Sequence, residues 1–139
     1  MNYVMISIDE IVDFCNYNEE IFSFIEGEVW VSDYTVSDLD FFEEMTVKEC
    51  IEQNRISKYS ISKHEYIDFC GTYYKYGGML TITEVAAIHI CLKNKNCSII
   101  NNDPVLNEII NELSLQSISY EKFKENNINE LIINKPRMI

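Results

Sequence analysis

"CSIINNDPVLNEII", residues 97 to 110, decides how the chain is read. Ile99 and Ile100 close an apolar run suited to the middle of a sheet, and the run passes straight into Asn101, Asn102, Asp103 and Pro104. From there the pattern turns amphipathic, with Leu106, Ile109 and Ile110 at helical spacing. An aspartate before a proline marks a helix start: the carboxylate caps the first turn, and the proline fills a position where a missing amide costs nothing. A strand that ends on a helix start belongs to an α/β sheet. In open sheets of that kind, ligands bind at the carboxyl ends of the strands. Asp103 is therefore open to two readings, a helix cap and a metal ligand.

Three further segments read as short strands: "YVMISI" at 3 to 8, "EVWVS" at 28 to 32 and "QSIS" at 116 to 119. Helical patterns lie between them, at about 9 to 16, 19 to 26, 34 to 45, 46 to 54, 62 to 75, 82 to 94, 104 to 113 and 120 to 126. This alternation predicts an α/β fold with a mostly parallel central sheet of about four to five strands flanked by helices. The strands at 3 to 8 and 97 to 100 lack clear alternation, as strands covered on both faces do. Gly77 and Gly78 mark the clearest break, since paired glycines stop a helix and allow positive φ. The tail "NKPRMI" is expected to be poorly ordered. With 139 residues and no internal repeat or linker, residues 1–139 read as a single domain.

The 47% hydrophobic and 12% aromatic content excludes a disordered chain. A net charge of −12 argues against a broad non-specific nucleic-acid surface and favours a basic partner, metal binding or solubility. No apolar stretch approaches the roughly 18 residues of a membrane helix, and Asp9 and Glu10 interrupt the first one before it resembles a signal peptide. Cys15, Cys50, Cys70, Cys91 and Cys97 have neither zinc-site nor CxxC spacing, so they are expected as reduced core residues of a cytoplasmic protein.

The remaining information is in the acids. Winding 34 to 45 at about 100° per residue puts Tyr34, Phe41, Phe42 and Met45 on one side with Asp38 among them. There Asp38 is either desolvated and partnered, or at a helix end reaching solvent. Glu84 stands three residues after Thr81, the spacing of a capping box, yet it heads a helix whose Ala86 and Ala87 allow close approach to a sheet. Asp9 and Glu10, with Ser7 before them, follow the first strand, where a helix dipole also favours acids. Oxygen donors of this kind suit Mg²⁺, which takes one or two carboxylates and completes its shell with water.

The stretch "LTITEVAAIHICLKNKNCSIINNDPVLNEIINELSLQSISY", residues 80 to 120, resembles the C-terminal half of the PIN-domain family, small α/β metal-dependent ribonucleases that include the toxins of many toxin-antitoxin pairs. The resemblance places Glu84 and Asp103 on the third and fourth acidic positions and Asn101 and Asn102 in the polar turn before the last acid. "VWVSDYTVSDLDFF" resembles the second motif and puts Asp38 on its glutamate. At the N-terminus "SIDEIV" departs from the pattern: aligning Ile11 and Val12 on the apolar pair puts Ser7 where the family has its first aspartate, and leaves Asp9 to substitute by a shifted geometry.

The resemblance implies a PIN-like endoribonuclease that hydrolyses RNA with Mg²⁺ or Mn²⁺ held by Asp9, Asp38, Glu84 and Asp103, supported by Ser7, Asn101 and Asn102. It also implies an antitoxin partner and a homodimer. Lys58, Lys63, Lys75, Lys93 and Lys95 are candidate RNA contacts. The competing expectation is a catalytically impaired PIN-like protein that binds other proteins, with Phe22, Phe24, Trp30, Tyr73 and Tyr74 as its candidate surface. His64 reads as solvated and His89 as a partnered, partly buried side chain. No GxxxxGK[ST], GxGxxG or HExxH motif is present.

Overall fold

The computed structural model describes residues 1–16 and 25–134, and for 128–134 the backbone alone. Five short strands, β1 (Asn2–Met5), β2 (Val29–Ser32), β3 (Ser57–Tyr59), β4 (Cys97–Ile100) and β5 (Gln116–Ile118), form one sheet in the order β3-β2-β1-β4-β5. Every neighbouring pair is parallel. The described helices are α1 (Ile8–Cys15), α2 (Asp33–Ser37), α3 (Phe41–Glu52), α4 (Tyr66–Tyr76), α5 (Ile82–Lys93), α6 (Pro104–Glu112) and α7 (Tyr120–Asn134). This is the parallel α/β architecture that the sequence predicts.

Alternation along the strands divides the core in two. Val4, Trp30 and Ile99 pack against α4, α5 and α6, while Met5, Val29, Val31 and Ile100 pack against α1, α3 and α7. Both faces of β1, β2 and β4 are thus buried, which is why those strands carry so few polar residues. Ile88, Ile90, Ile99, Ile100 and Ile110 are completely shielded, and each such side chain contributes about 1.5–3 kcal/mol by leaving water.

Each strand after the first is preceded by a residue in the left-handed region: Gly27 (φ 92) before β2, Asn54 (φ 60) before β3, Asn96 (φ 56) before β4 and Ser114 (φ 55) before β5. At Gly27 a Cβ would lie 2.2 Å from the Met1 carbonyl oxygen, so only glycine fits. At the ends of α3 and α6 the left-handed residue closes a Schellman turn. Asn54 N–H donates to Ile51 O and Arg55 N–H to Cys50 O; Ser114 N–H donates to Asn111 O and Leu115 N–H to Ile110 O. These turns aim both edge strands back along the sheet.

Several expectations are corrected. The first strand ends at Met5 rather than residue 8, because Ser7 caps α1 and takes the chain into a helix. β3 is an additional strand; three residues, two of them polar, are too few to leave a periodic signal. The single helix over 34 to 45 is two helices, interrupted at 38 to 40, where Asp40 and Glu43 form a capping box that restarts the chain as α3. Phe41, Phe42 and Met45 are consequently exposed instead of sharing a buried side with Tyr34. Gly77 ends α4 with φ −64, so that break needs no positive φ. Trp30 is core, its indole N–H donating to Glu28 Oε2 at 2.6 Å, and is no part of an exposed surface. Phe22, Phe24, most of the helix expected at 19 to 26, and the tail from 135 onward lie outside the described residues. All five cysteines are free, four of them buried and Cys70 exposed. Among the described residues no helix is long and apolar enough to cross a membrane.

Candidate active site at the carboxyl ends of β1 and β4

The strand order sends the chain from β1 outward through β2 to β3, then back across β1 to β4 and β5. The crevice between β1 and β4 is therefore the topological switch point, the place where an open parallel sheet leaves room for a ligand. Met5 pairs with Ile100, so the residues that follow, Ser7 on one side and Asn102 with Asp103 on the other, leave the sheet together. A pocket of about 360 Å³ opens there, walled by Ser7, Glu10, Thr81, Glu84, Asn102 and Asp103.

Three helices start at this pocket, each with its own cap. Ser7 Oγ faces Glu10 N–H at 3.5 Å at the start of α1. Thr81 Oγ1 accepts from Glu84 N–H at 3.3 Å at the start of α5. Asp103 Oδ1 accepts from Val105 N–H at 2.9 Å at the start of α6. Helix amino ends carry partial positive charge, so their convergence lowers the cost of gathering acids and favours anions. The Asn101 side chain sets the final turn: its Oδ1 accepts from Asp103 N–H at 2.9 Å and its Nδ2 donates to Asn107 at 3.1 Å.

The two readings of Glu84 and Asp103 turn out to be compatible. Glu84 Oε1 takes both the Thr81 N–H and the Thr81 hydroxyl at 2.9 Å, and Asp103 uses Oδ1 for its cap. Each carboxylate still has a second oxygen to offer at the pocket wall. The acid from the β1 side is Glu10 rather than Asp9. Partial burial pushes the Glu10 carboxyl above its ordinary range against the opposing pull of Lys124, and Asp13 and Glu121 add to the rise. Lys124 and Asp13 themselves stand 3.8 Å apart.

Of the residues expected at the site, the pocket brings together Ser7, Glu84, Asn101, Asn102 and Asp103. Asp9 is exposed on the first turn of α1, and Asp38 is the exposed C-cap of α2; neither lines this pocket. The signal for Glu10 is its position three residues after the Ser7 cap, in the first turn of the helix that starts at the pocket. Among the described residues, no three histidine, cysteine or carboxylate side chains are grouped to form a metal cage.

A second polar cluster lies elsewhere, around His89. Its Nε2 and Glu65 Oε2 are 2.8 Å apart, and Glu65 also accepts from Tyr59 at 3.0 Å and Ser62 at 3.2 Å. Burial pushes the Glu65 carboxyl up, but these hydrogen bonds outweigh it and hold the group below its ordinary range. His89 is thus a partnered core residue, as expected, while His64 is exposed.

No family model and no curated protein sequence matches the chain. Among solved structures, the fold is similar to a chain in the crystal structure of VapBC2 from Rickettsia felis bound to a DNA fragment from their promoter. The TM-score is 0.54 and the identity 17%, over 86% of this chain and 98% of that one. At this identity the likeness speaks for the fold, and the fold is the PIN-like one.

Proposed function

We propose that this PIN-like chain is a metal-dependent endoribonuclease of the toxin type, hydrolysing RNA phosphodiester bonds at the pocket between β1 and β4. One observation carries the reading: Glu84 and Asp103, from separate helix starts, line the same pocket as Glu10 at the switch point of the sheet. The sequence resemblance to toxins and the fold likeness to a chain of the VapBC2 structure support the toxin-type reading, and an antitoxin is the partner it implies. A cytoplasmic location and a homodimer belong to this proposal as well.

The donor set is all oxygen and suits Mg²⁺ or Mn²⁺ rather than a soft metal. Without a three-carboxylate cage among the described residues, such an ion would be held by the outward oxygens of Glu84 and Asp103 and by water. When bound, it would supply Lewis acidity toward the phosphate and lower the pKa of water. Glu10, whose carboxyl burial already biases toward protonation, would accept a proton from attacking water. The three helix amino ends present partial positive charge to the phosphate. Asn101 keeps the Asp103 turn in place through its two hydrogen bonds.

The test is cleavage of single-stranded RNA with Mn²⁺. Wild type should cleave, chelation should stop it, and Glu84→Gln or Asp103→Asn should slow it by roughly 100-fold or more. Cleavage indifferent to chelation and to both substitutions would refute the assignment.

A second reading, a PIN-like protein that acts by binding other proteins, is favoured by one feature of the surface. Tyr66, Ile67, Tyr73, Tyr74 and Met79 form an exposed face on and after α4, with Tyr74 92% exposed. Faces of this kind mark interaction sites. Wild-type chain that neither cleaves RNA nor changes its melting temperature with Mn²⁺ would favour this reading over the nuclease.

A further inference from the structure

Cys91 lies in the last turns of α5 and Cys97 opens β4. Between them Asn96, at φ 56, folds the chain back, so that the Cys91 thiol donates to the Cys97 sulfur at 2.8 Å. The sulfurs are within roughly 1 Å of the separation of a disulfide. Both residues are 5% exposed. Both also line an open pocket of about 260 Å³ at the opposite end of β4 from the acidic site, with Asn94, Lys95, Ser114 and Gln116 around it. The pair thus combines close approach with access for a small solute.

We propose that Cys91 and Cys97 are an oxidisable dithiol that closes to an intramolecular disulfide with a peroxide as oxidant. Cys97 gives up its proton and attacks one peroxide oxygen, breaking the O–O bond; it becomes a sulfenic acid and the first water leaves. Cys91 sulfur then displaces the sulfenyl hydroxyl, its own proton departing with that hydroxyl as the second water. The two thiols lose two electrons and the peroxide gains two. The hydrogen bond from Cys91 favours the thiolate on Cys97 and keeps the proton on Cys91, which assigns attack to Cys97. The new bond ties the end of α5 to the start of β4, the two elements that lead to Glu84 and Asp103.

Cys15 and Cys50, also hydrogen-bonded to one another, provide an internal comparison on the other face of the sheet. The folded full chain is treated with stoichiometric hydrogen peroxide, alkylated, and analysed by intact mass and non-reducing peptide mapping. The expected result is loss of two hydrogens, mapped to Cys91–Cys97, reversed by dithiothreitol, absent in Cys97→Ser and retained in Cys15→Ser. Wild-type chain that keeps its mass, or that is oxidised only at Cys70 or between Cys15 and Cys50, overturns the proposal without involving any variant.

Discussion

Asp103 caps a helix with Oδ1 and lines the pocket, so substitutions can separate the two roles. Asparagine caps as well as aspartate, whereas alanine leaves the Val105 amide unsatisfied; in urea unfolding, Asp103→Asn should be within a few tenths of a kcal/mol of wild type and Asp103→Ala about 1 kcal/mol below it. Glu10 allows a test by pH. A carboxyl whose folded pKa is raised adds stability below its unfolded value, 4.5, and loses that contribution as pH rises through the folded value. Glu10→Gln should therefore gain on wild type as pH rises above 4.5, read as the difference in denaturation midpoints; a gain confined to acid pH would show the carboxylate to be well accommodated. Asp103 and Glu84 were legible because cap spacing and strand-end position are both local signals. Glu10 was not singled out from Asp9, because the choice depends on the phase of a helix whose start, Ser7, is fixed only when β1 ends at Met5.

At the level of elements, the clearest match is β4, which forms from Cys97 to Ile100 as its apolar run predicts. What escaped notice was backbone geometry carried by polar residues. Asn54, Asn96 and Ser114 look like ordinary loop residues, yet each turns the chain into a strand with positive φ. The break between α2 and α3 was hidden for a related reason: Asp40 and Glu43 cap each other's backbone, a pairing that overrides the continuous apolar spacing from Tyr34 to Met45. Of the left-handed positions Ser114 is the most strained, since asparagine tolerates that region better than serine. Ser114→Gly should raise stability by about 0.5–1 kcal/mol by relieving it, measurable as a higher midpoint in urea with an unchanged slope. A loss of stability would mean that the turn is held by the serine side chain.

For the whole molecule, the resemblance in chain order anticipated the sheet and the position of the pocket, because two acids and a polar turn lie close together in sequence on neighbouring elements. Asp38 and Asp9 were harder to place, since whether they reach the pocket depends on packing between distant segments. Ile99 on β4 is fully buried in that packing; Ile99→Ala should cost about 2–5 kcal/mol, seen in urea unfolding as a fall in midpoint. The sheet order also has a consequence for synthesis. β1 sits between β2 and β4, so once made it keeps one side open until residues 97–100 follow. At about 5–20 residues per second, that wait lasts on the order of 5 to 20 s. Throughout that interval the nascent chain carries an unsealed flank beside β1, and whatever chemistry the finished crevice performs is withheld until β4 and Asp103 have been made.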